Sequence, residues 1–82
     1  MSPAEPLDED LHGVHCRLTE LLAERGMTVT ELSAAVGVSV VNLSVLKNDR
    51  AKAIRFSTLV AICRVLDCGV GELLVVDRAT QR

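Results

Sequence analysis

Side chains that can share one helix face recur in the first third of the chain. They form a stripe that comprises Val14, Leu18, Leu21, Leu22 and Arg25. This spacing predicts a first helix from about Val14, because residues three and four apart lie on the same side of a helix. Gly26 follows the stripe, and glycine readily adopts the left-handed backbone that ends helices. Cys16 falls on the side opposite the stripe, so we expect it to be exposed.

A capping pattern predicts a second helix. Thr28 and Glu31 stand three residues apart. At this spacing the threonine hydroxyl can cap one backbone N–H while the glutamate carboxylate reaches back to another. The helix is therefore predicted to begin at about Val29 and to end at Gly37.

A third helix is predicted from Val40 to about Lys47, with Ser39 as its N-cap. Its buried side would carry Leu43 and Leu46. The outer face then comprises Val41, Ser44, Val45 and Asn48, with Val40 and Asn42 at its sides. A β-strand is the alternative here, since β-branched residues favour strands. The two caps and the neighbouring helices favour the helix.

Two further helices complete the pattern. Ser57 is expected to cap a helix whose buried stripe comprises Leu59, Ile62, Cys63 and Leu66. The sequence Asp67-Cys68-Gly69 would end it, and a short last helix is predicted from about Val70 to Leu74. Cys63 is then a small core residue. Its C-x4-C spacing with Cys68 is a weak pattern for a metal site or a redox pair.

The central segment resembles the helix-turn-helix of the phage-repressor-like family, the Cro/CI type that is also called the xenobiotic-response-element family. In that family a small residue lies where two helices cross, a glycine follows four residues later, and an aliphatic residue six after that. Ser33, Gly37 and Leu43 fill these places. The residues from 54 to 63 are similar to a short, single-domain branch, and the resemblance covers roughly residues 14 to 75. It implies an all-α, five-helix, lambda-repressor-like DNA-binding domain.

The resemblance also implies that the helix at about 40–47 enters the major groove of DNA. The residues expected to read bases are Val40, Val41, Asn42, Ser44 and Val45. The residues expected to contact phosphates are Arg17, Thr28, Lys47, Asn48, Arg50, Lys52 and Arg55. The family commonly has polar base-reading residues and a leading glutamine where this chain has Val40, Val41 and Val29. Valine can instead contact the methyl group of thymine.

The charge distribution changes the meaning of a net charge of −2. Four acids lie in the first ten residues, and the remainder has nine Lys and Arg against seven Asp and Glu. The basic cluster of Lys47, Arg50, Lys52 and Arg55 follows the third helix. A local basic patch favours phosphate contact. The alternatives are a solvated loop and an acidic arm that covers the cluster.

Three segments are expected: a disordered acidic arm over residues 1–12, the helix-turn-helix domain over 13–76, and a flexible tail over 77–82. The sequence has no secretory signal and no apolar run that could span a membrane. Three cysteines, an odd number, favour a reducing cytoplasm. His12, His15 and Cys16 have a possible ligand spacing. No second ligand pair accompanies them, so no metal or other cofactor is predicted.

The favoured hypothesis is a sequence-specific regulator of transcription that binds double-stranded DNA as a homodimer. The alternative is a protein-interaction module on the same fold, antitoxin-like or a co-regulator, which would use Val41 and Val45. No enzyme and no small-molecule site are predicted, because no catalytic constellation stands out. In the family the end of the chain often forms the dimer contact, so the candidates are Leu73, Leu74, Val75 and Val76. The same residues could instead close the core of the monomer.

Overall fold

The computed structural model describes residues 13–76 of the chain. In chain order these residues form β1 (Val14–Cys16), α1 (Leu18–Arg25), α2 (Val29–Val36), α3 (Val40–Lys47), α4 (Phe56–Leu66), α5 (Val70–Leu73) and β2 (Leu74–Val76). The predicted five-helix class is confirmed, with a small two-stranded sheet added. The predicted arm over 1–12 and tail over 77–82 lie outside the described residues.

The helix-turn-helix forms as its caps predict. The Glu31 N–H donates to the Thr28 hydroxyl at 3.0 Å, and the Thr28 N–H donates to the Glu31 carboxylate at 2.9 Å. The Asn42 N–H donates to the Ser39 hydroxyl at 3.1 Å. These bonds satisfy N–H groups that a helix start leaves without a partner. The predicted limits of α2 and α3 are confirmed, and the strand alternative is wrong.

A tight turn joins α2 to α3 at an angle of 116°. Gly37 has a φ of 74°, a left-handed conformation that suits glycine because it lacks a Cβ. The Ser33 hydroxyl donates to the Val38 carbonyl oxygen across the turn at 2.6 Å. The small residue at the helix crossing therefore also ties the end of one helix to the start of the next.

The core lies where the helices meet. Its fully buried large side chains are Leu18, Leu32, Leu43, Ile62, Leu66 and Leu73. In residues 13–76 no polar or charged residue is buried. Each such aliphatic side chain stabilises the fold by roughly 1.5–3 kcal/mol relative to exposure. Because Leu43 and Leu46 anchor α3 to this core, its opposite face is exposed.

The first helix begins at Leu18, so the prediction of a start at Val14 is wrong. Residues 14–16 form β1, which pairs antiparallel with β2, with Val14 opposite Val76 and Cys16 opposite Leu74. The strand partner lies at the far end of the chain, where helical spacing cannot reveal it. Cys16 is consequently only 2% exposed, and its predicted exposure is also wrong.

Two other helix limits differ from the prediction. α4 begins at Phe56 because extended backbone ends at Arg55, so Ser57 is already inside the helix and is not its N-cap. α5 ends at Leu73 because Leu74 turns to extended backbone and pairs with β1.

Arg25 connects the ends of two helices. Its Nε donates to the Leu66 carbonyl oxygen at 2.7 Å, and its Nη2 donates to that of Asp67 at 3.2 Å. These carbonyls lie at the end of α4, where helix geometry leaves acceptors without partners and a cation is favoured. Arg25 therefore caps α4 from the end of α1, a role that its place in the apolar stripe did not indicate.

No single helix within residues 13–76 combines the length and apolar content needed to cross a membrane. Taken together, α2 and α3 have the required length and apolar content, but the two helices are bent by 116° relative to each other.

Candidate nucleic-acid interface

The outer face of α3 is apolar at its centre and polar at its ends. Val41 is 71% exposed, and Val40 and Val45 are also exposed. Asn42 and Asn48 are exposed, whereas Ser44 is half-buried. The predicted inward side of this helix is confirmed, and so is the outward side except at Ser44, which is partly buried. The face offers methyl groups and two amides, which match the thymine methyl and the hydrogen-bonding edges of the major groove.

A groove runs beside this face. It has a volume of about 860 Å³ and lies between the turn, α3, the linker of residues 48–55 and the start of α4. Of the predicted contact residues, those that line it are Asn42, Val45, Arg50, Lys52 and Arg55. The fold thus brings two candidate base-reading side chains beside three candidate phosphate ligands.

The basic cluster surrounds the end of α3. Arg50, Lys52 and Arg55 are exposed, and Lys47 is half-buried in the last turn of the helix. The main chain of Arg50 is anchored at this point, since its N–H donates to the Val45 carbonyl oxygen at 3.0 Å. Exposed cations next to a helix that presents amides suit a polyanionic ligand.

Asp49 ties the start of this linker to β1. Its carboxylate accepts from the Cys16 N–H at 2.8 Å and lies 2.9 Å from His15 Nδ1. His15 Nε2 lies 3.3 Å from the Glu20 carboxylate. The hydrogen bond with Asp49, followed by that with Glu20, raises the pKa of His15 above its ordinary value. The same contact with His15 helps to lower the pKa of Glu20, after the larger effect of a backbone N–H.

Four predicted phosphate ligands lie outside the groove lining: Arg17, Thr28, Lys47 and Asn48. The Arg17 side chain donates to the Glu72 carbonyl oxygen at 3.4 Å and lies 3.8 Å from the Glu24 carboxylate. Arg17 is therefore held between α1 and α5 rather than in the basic cluster. Thr28 is exposed at the start of α2, where its oxygen already accepts from Glu31 and its O–H still has a proton to donate.

Ser57 and Thr58 are groove residues that the sequence did not indicate as contacts. They lie in the first turn of α4, and no side chain hydrogen bond caps that turn at Arg55. N–H groups at a helix start attract anions. The available sequence signal is a helix start that follows a basic linker, whereas the capping pattern predicts Ser57 only as an N-cap.

The predicted dimer residues at the chain end belong largely to the monomer. Leu73 is fully buried, and Leu74 is half-buried and packs against the core. Val75 is half-buried opposite His15 in the strand pair, whereas Val76 is 57% exposed. The core-closing interpretation therefore describes Leu73 and Leu74.

The cysteines and histidines do not form a metal centre in the part of the chain that the structure describes. His12 lies outside that part, and His15 faces two carboxylates. Cys63 and Cys68 meet because the Cys68 N–H donates to the Cys63 carbonyl oxygen at 3.0 Å where α4 ends. Burial and the neighbouring Cys63 thiol, with which it shares a hydrogen bond, raise the pKa of Cys68.

Comparison with known proteins supports a nucleic-acid interface here. A family model described as the Cro/C1-type HTH DNA-binding domain matches residues 17–78, a stretch that includes every groove residue. The chain is also 59% identical over 54 residues to a Bacillus subtilis (strain 168) protein named the uncharacterized HTH-type transcriptional regulator YozG. The match covers 66% of this chain and 64% of the relative. No solved structure matches the chain.

Proposed function

Because the chain belongs to the family of Cro/C1-type helix-turn-helix DNA-binding domains, we propose that it binds specific sequences of double-stranded DNA as a small transcriptional regulator. The observation that carries this proposal is the groove beside α3. It joins the exposed face of that helix to Arg50, Lys52 and Arg55. A base-reading surface next to phosphate ligands is what a site-specific DNA-binding domain requires.

In this proposal α3 lies in the major groove and α2 crosses the DNA backbone. Val41 and Val45 contact thymine methyl groups, and Asn42 bonds the edge of a base. Val40 and Ser44 complete the base-facing set. The basic cluster, with Thr28 and Asn48, contacts phosphates and sets the position of the helix.

The protein acts as a homodimer in this proposal. Two copies related by two-fold symmetry place their α3 helices about 34 Å apart, one turn of the duplex. An inverted repeat is then the expected binding site. The name of the Bacillus relative, an HTH-type transcriptional regulator, supports a role in transcription.

Selection from a random-sequence duplex pool tests the proposal. The purified full chain is expected to enrich a two-fold symmetric site. A plot of log K for that site against log salt concentration should fall with a slope of roughly −0.9 for each phosphate that the protein neutralises. A matched selection with Val41→Glu, an exposed change on α3, is expected to enrich nothing. Sequence-independent binding by the unaltered chain, with no enriched site, would contradict sequence-specific recognition.

A protein-interaction module is the second candidate, and the 71% exposure of Val41 favours it. An exposed valine at a position where the family commonly has a polar residue suits an apolar partner. Under this alternative, Val41→Ser would abolish partner capture while leaving weak DNA binding unchanged. Under DNA recognition, the same change would alter the enriched sites.

The remaining features fit a regulator without chemistry of its own. We propose that the protein is not an enzyme and needs no cofactor, since its family consists of DNA-binding domains. We also propose a cytoplasmic location, which the three free cysteines support.

A further inference from the structure

The outer face of α4 carries Phe56, which is the one aromatic residue in the part of the chain that the structure describes. Phe56 is 83% exposed and Val60, one helical turn later, is 42% exposed. Val70 at the start of α5 is 49% exposed and borders the same cavity as Val60. Contiguous apolar residues on a surface mark an interaction site more often than scattered ones do. These three residues, Phe56, Val60 and Val70, are called the α4 face below.

A cavity lies at the other end of this face. It has a volume of about 500 Å³, and its walls include Val60, Cys63, Cys68 and Val70. The half-buried thiols and the valines form the apolar part of this lining, which suits an aromatic ring. Phe56 projects from the same helix that forms one wall. One surface of the chain therefore carries both a projecting aromatic side chain and an apolar hollow.

Charged residues of both signs border the same cavity. Arg64, Asp67 and Glu72 all contribute to its lining. A two-fold axis brings the same patch of two copies together. If residue i of one copy contacts residue j of the other, then j of the first also contacts i of the second, so the patch must be complementary to itself. Phe56 and the cavity satisfy this condition for shape, and Arg64 and the two carboxylates satisfy it for charge.

We propose that the α4 face is the contact between two copies of this chain, with Phe56 of each copy seated in the cavity of the other. The inference deepens the proposed function, since it assigns the surface of the homodimer that function requires. It replaces the chain end in that role, because Leu73 is buried and β2 is already paired within the monomer.

The position of Phe56 agrees with symmetric DNA binding. It directly follows Arg55, which lines the groove beside α3. Each Phe56 therefore lies next to the DNA-facing linker of its own copy, and an inverted repeat requires both α3 helices on one side of the dimer.

Sedimentation equilibrium over a range of concentrations tests the inference with the full chain. The unaltered protein is expected to form a dimer. Phe56→Ser and, as a second variant, Val60→Glu are each expected to raise the dimer dissociation constant about 30-fold or more, as loss of a central aromatic anchor does. Phe56 is 83% exposed and Val60 is 42% exposed, so thermal unfolding should show that the variants remain folded.

Two matched controls locate the contact. Val41→Ser on α3 and Val76→Ser on β2 remove other exposed valines and are expected to leave the dissociation constant unchanged. An unaltered protein that stays monomeric at every concentration would overturn the inference. So would dissociation caused by Val76→Ser in place of Phe56→Ser.

The same samples separate this inference from the proposed function. Enrichment of single, non-repeated DNA sites that the unaltered chain and Phe56→Ser bind equally well would overturn the α4 contact but uphold DNA recognition. A dimer that depends on Phe56 but enriches no DNA site would uphold the contact and overturn the proposed function.

Discussion

The carboxylate of Asp49 accepts the backbone N–H of Cys16 at 2.8 Å and thereby connects the end of α3 to β1. Asp49 has a φ of 63°, the left-handed conformation that ends a helix. Asp49 therefore both ends the helix that is proposed to read DNA and attaches the residues after that helix to β1. His15, which lies 2.9 Å from the same carboxylate, adds a second contact.

Removal of this carboxylate is expected to destabilise the fold. Asp49→Ala leaves the Cys16 N–H without that acceptor, and we expect a loss of about 1–3 kcal/mol in the free energy of unfolding. Asp67→Ala is the matched control, because Asp67 has a similar φ of 53° but is exposed. Urea unfolding measures both, and the difference between them removes the shared backbone cost. Equal losses would show that the carboxylate of Asp49 contributes nothing.

Protonation of His15 is expected to stabilise the protein. Both ring nitrogens of imidazolium are donors, and each lies near a carboxylate, that of Asp49 or Glu20. Since the folded-state pKa is raised, this contribution is complete below the unfolded pKa and is lost as pH rises through the folded pKa. The melting temperature should therefore fall as the pH rises above about 6.5, the ordinary pKa of histidine.

The variant His15→Gln isolates that pH dependence. Glutamine can still hydrogen-bond but does not titrate, so its melting temperature should change less across the same pH interval. The contribution is modest because the His15 and Glu20 side chains are 40% and 46% exposed and water screens the pairs. A decline as steep in His15→Gln as in the unaltered protein would assign the effect to another group.

Arg25 is expected to contribute through its fork of donors rather than through charge alone. Arg25→Ala removes two hydrogen bonds to carbonyls at the end of α4, and we expect a loss of about 1.5–3 kcal/mol. Arg25→Lys keeps the charge but not the planar fork, so it should restore only part of that loss. Arg64→Ala, an exposed change on α4, is expected to alter stability by less than about 0.5 kcal/mol. Urea unfolding of the three variants measures their free energies of unfolding and so ranks the three losses.

Cys16 is expected to resist alkylation in the folded protein. Burial raises its pKa to about 11, so almost no thiolate exists near neutral pH. Mass spectrometry after iodoacetamide treatment should show Cys16 reacting at least ~100-fold more slowly than an ordinary exposed thiol. All three cysteines should react alike in urea. Rapid native modification of Cys16 would contradict the pairing of β1 with β2.

Base-reading and phosphate-contacting residues are expected to behave differently. Arg50→Ala should weaken binding to every DNA sequence and reduce the salt slope by about 0.9, because one phosphate contact is lost. Asn42→Ala should leave that slope unchanged and alter the preference among sites. Fluorescence anisotropy at several salt concentrations measures both. An unchanged slope in Arg50→Ala would exclude Arg50 as a phosphate ligand.

Local chemistry determined the helix-turn-helix from the sequence alone. The Thr28–Glu31 capping box, the Ser39 cap and the glycine at 37 act within four residues, so their meaning does not depend on the rest of the chain. The same holds for the inward and outward sides of α3, which follow from the helical period once Leu43 and Leu46 are recognised as core residues.

Only the tertiary structure decided the features that join distant residues. Residues 14–16 have helical spacing, yet they form a strand because residues 74–76 supply backbone partners from the other end of the chain. Arg25 caps α4, and Asp49 holds β1, because folding brings those groups within hydrogen-bonding distance. Local patterns describe backbone bonds between near neighbours, whereas strand pairs, borrowed caps and the groove beside α3 arise only when separate elements pack together.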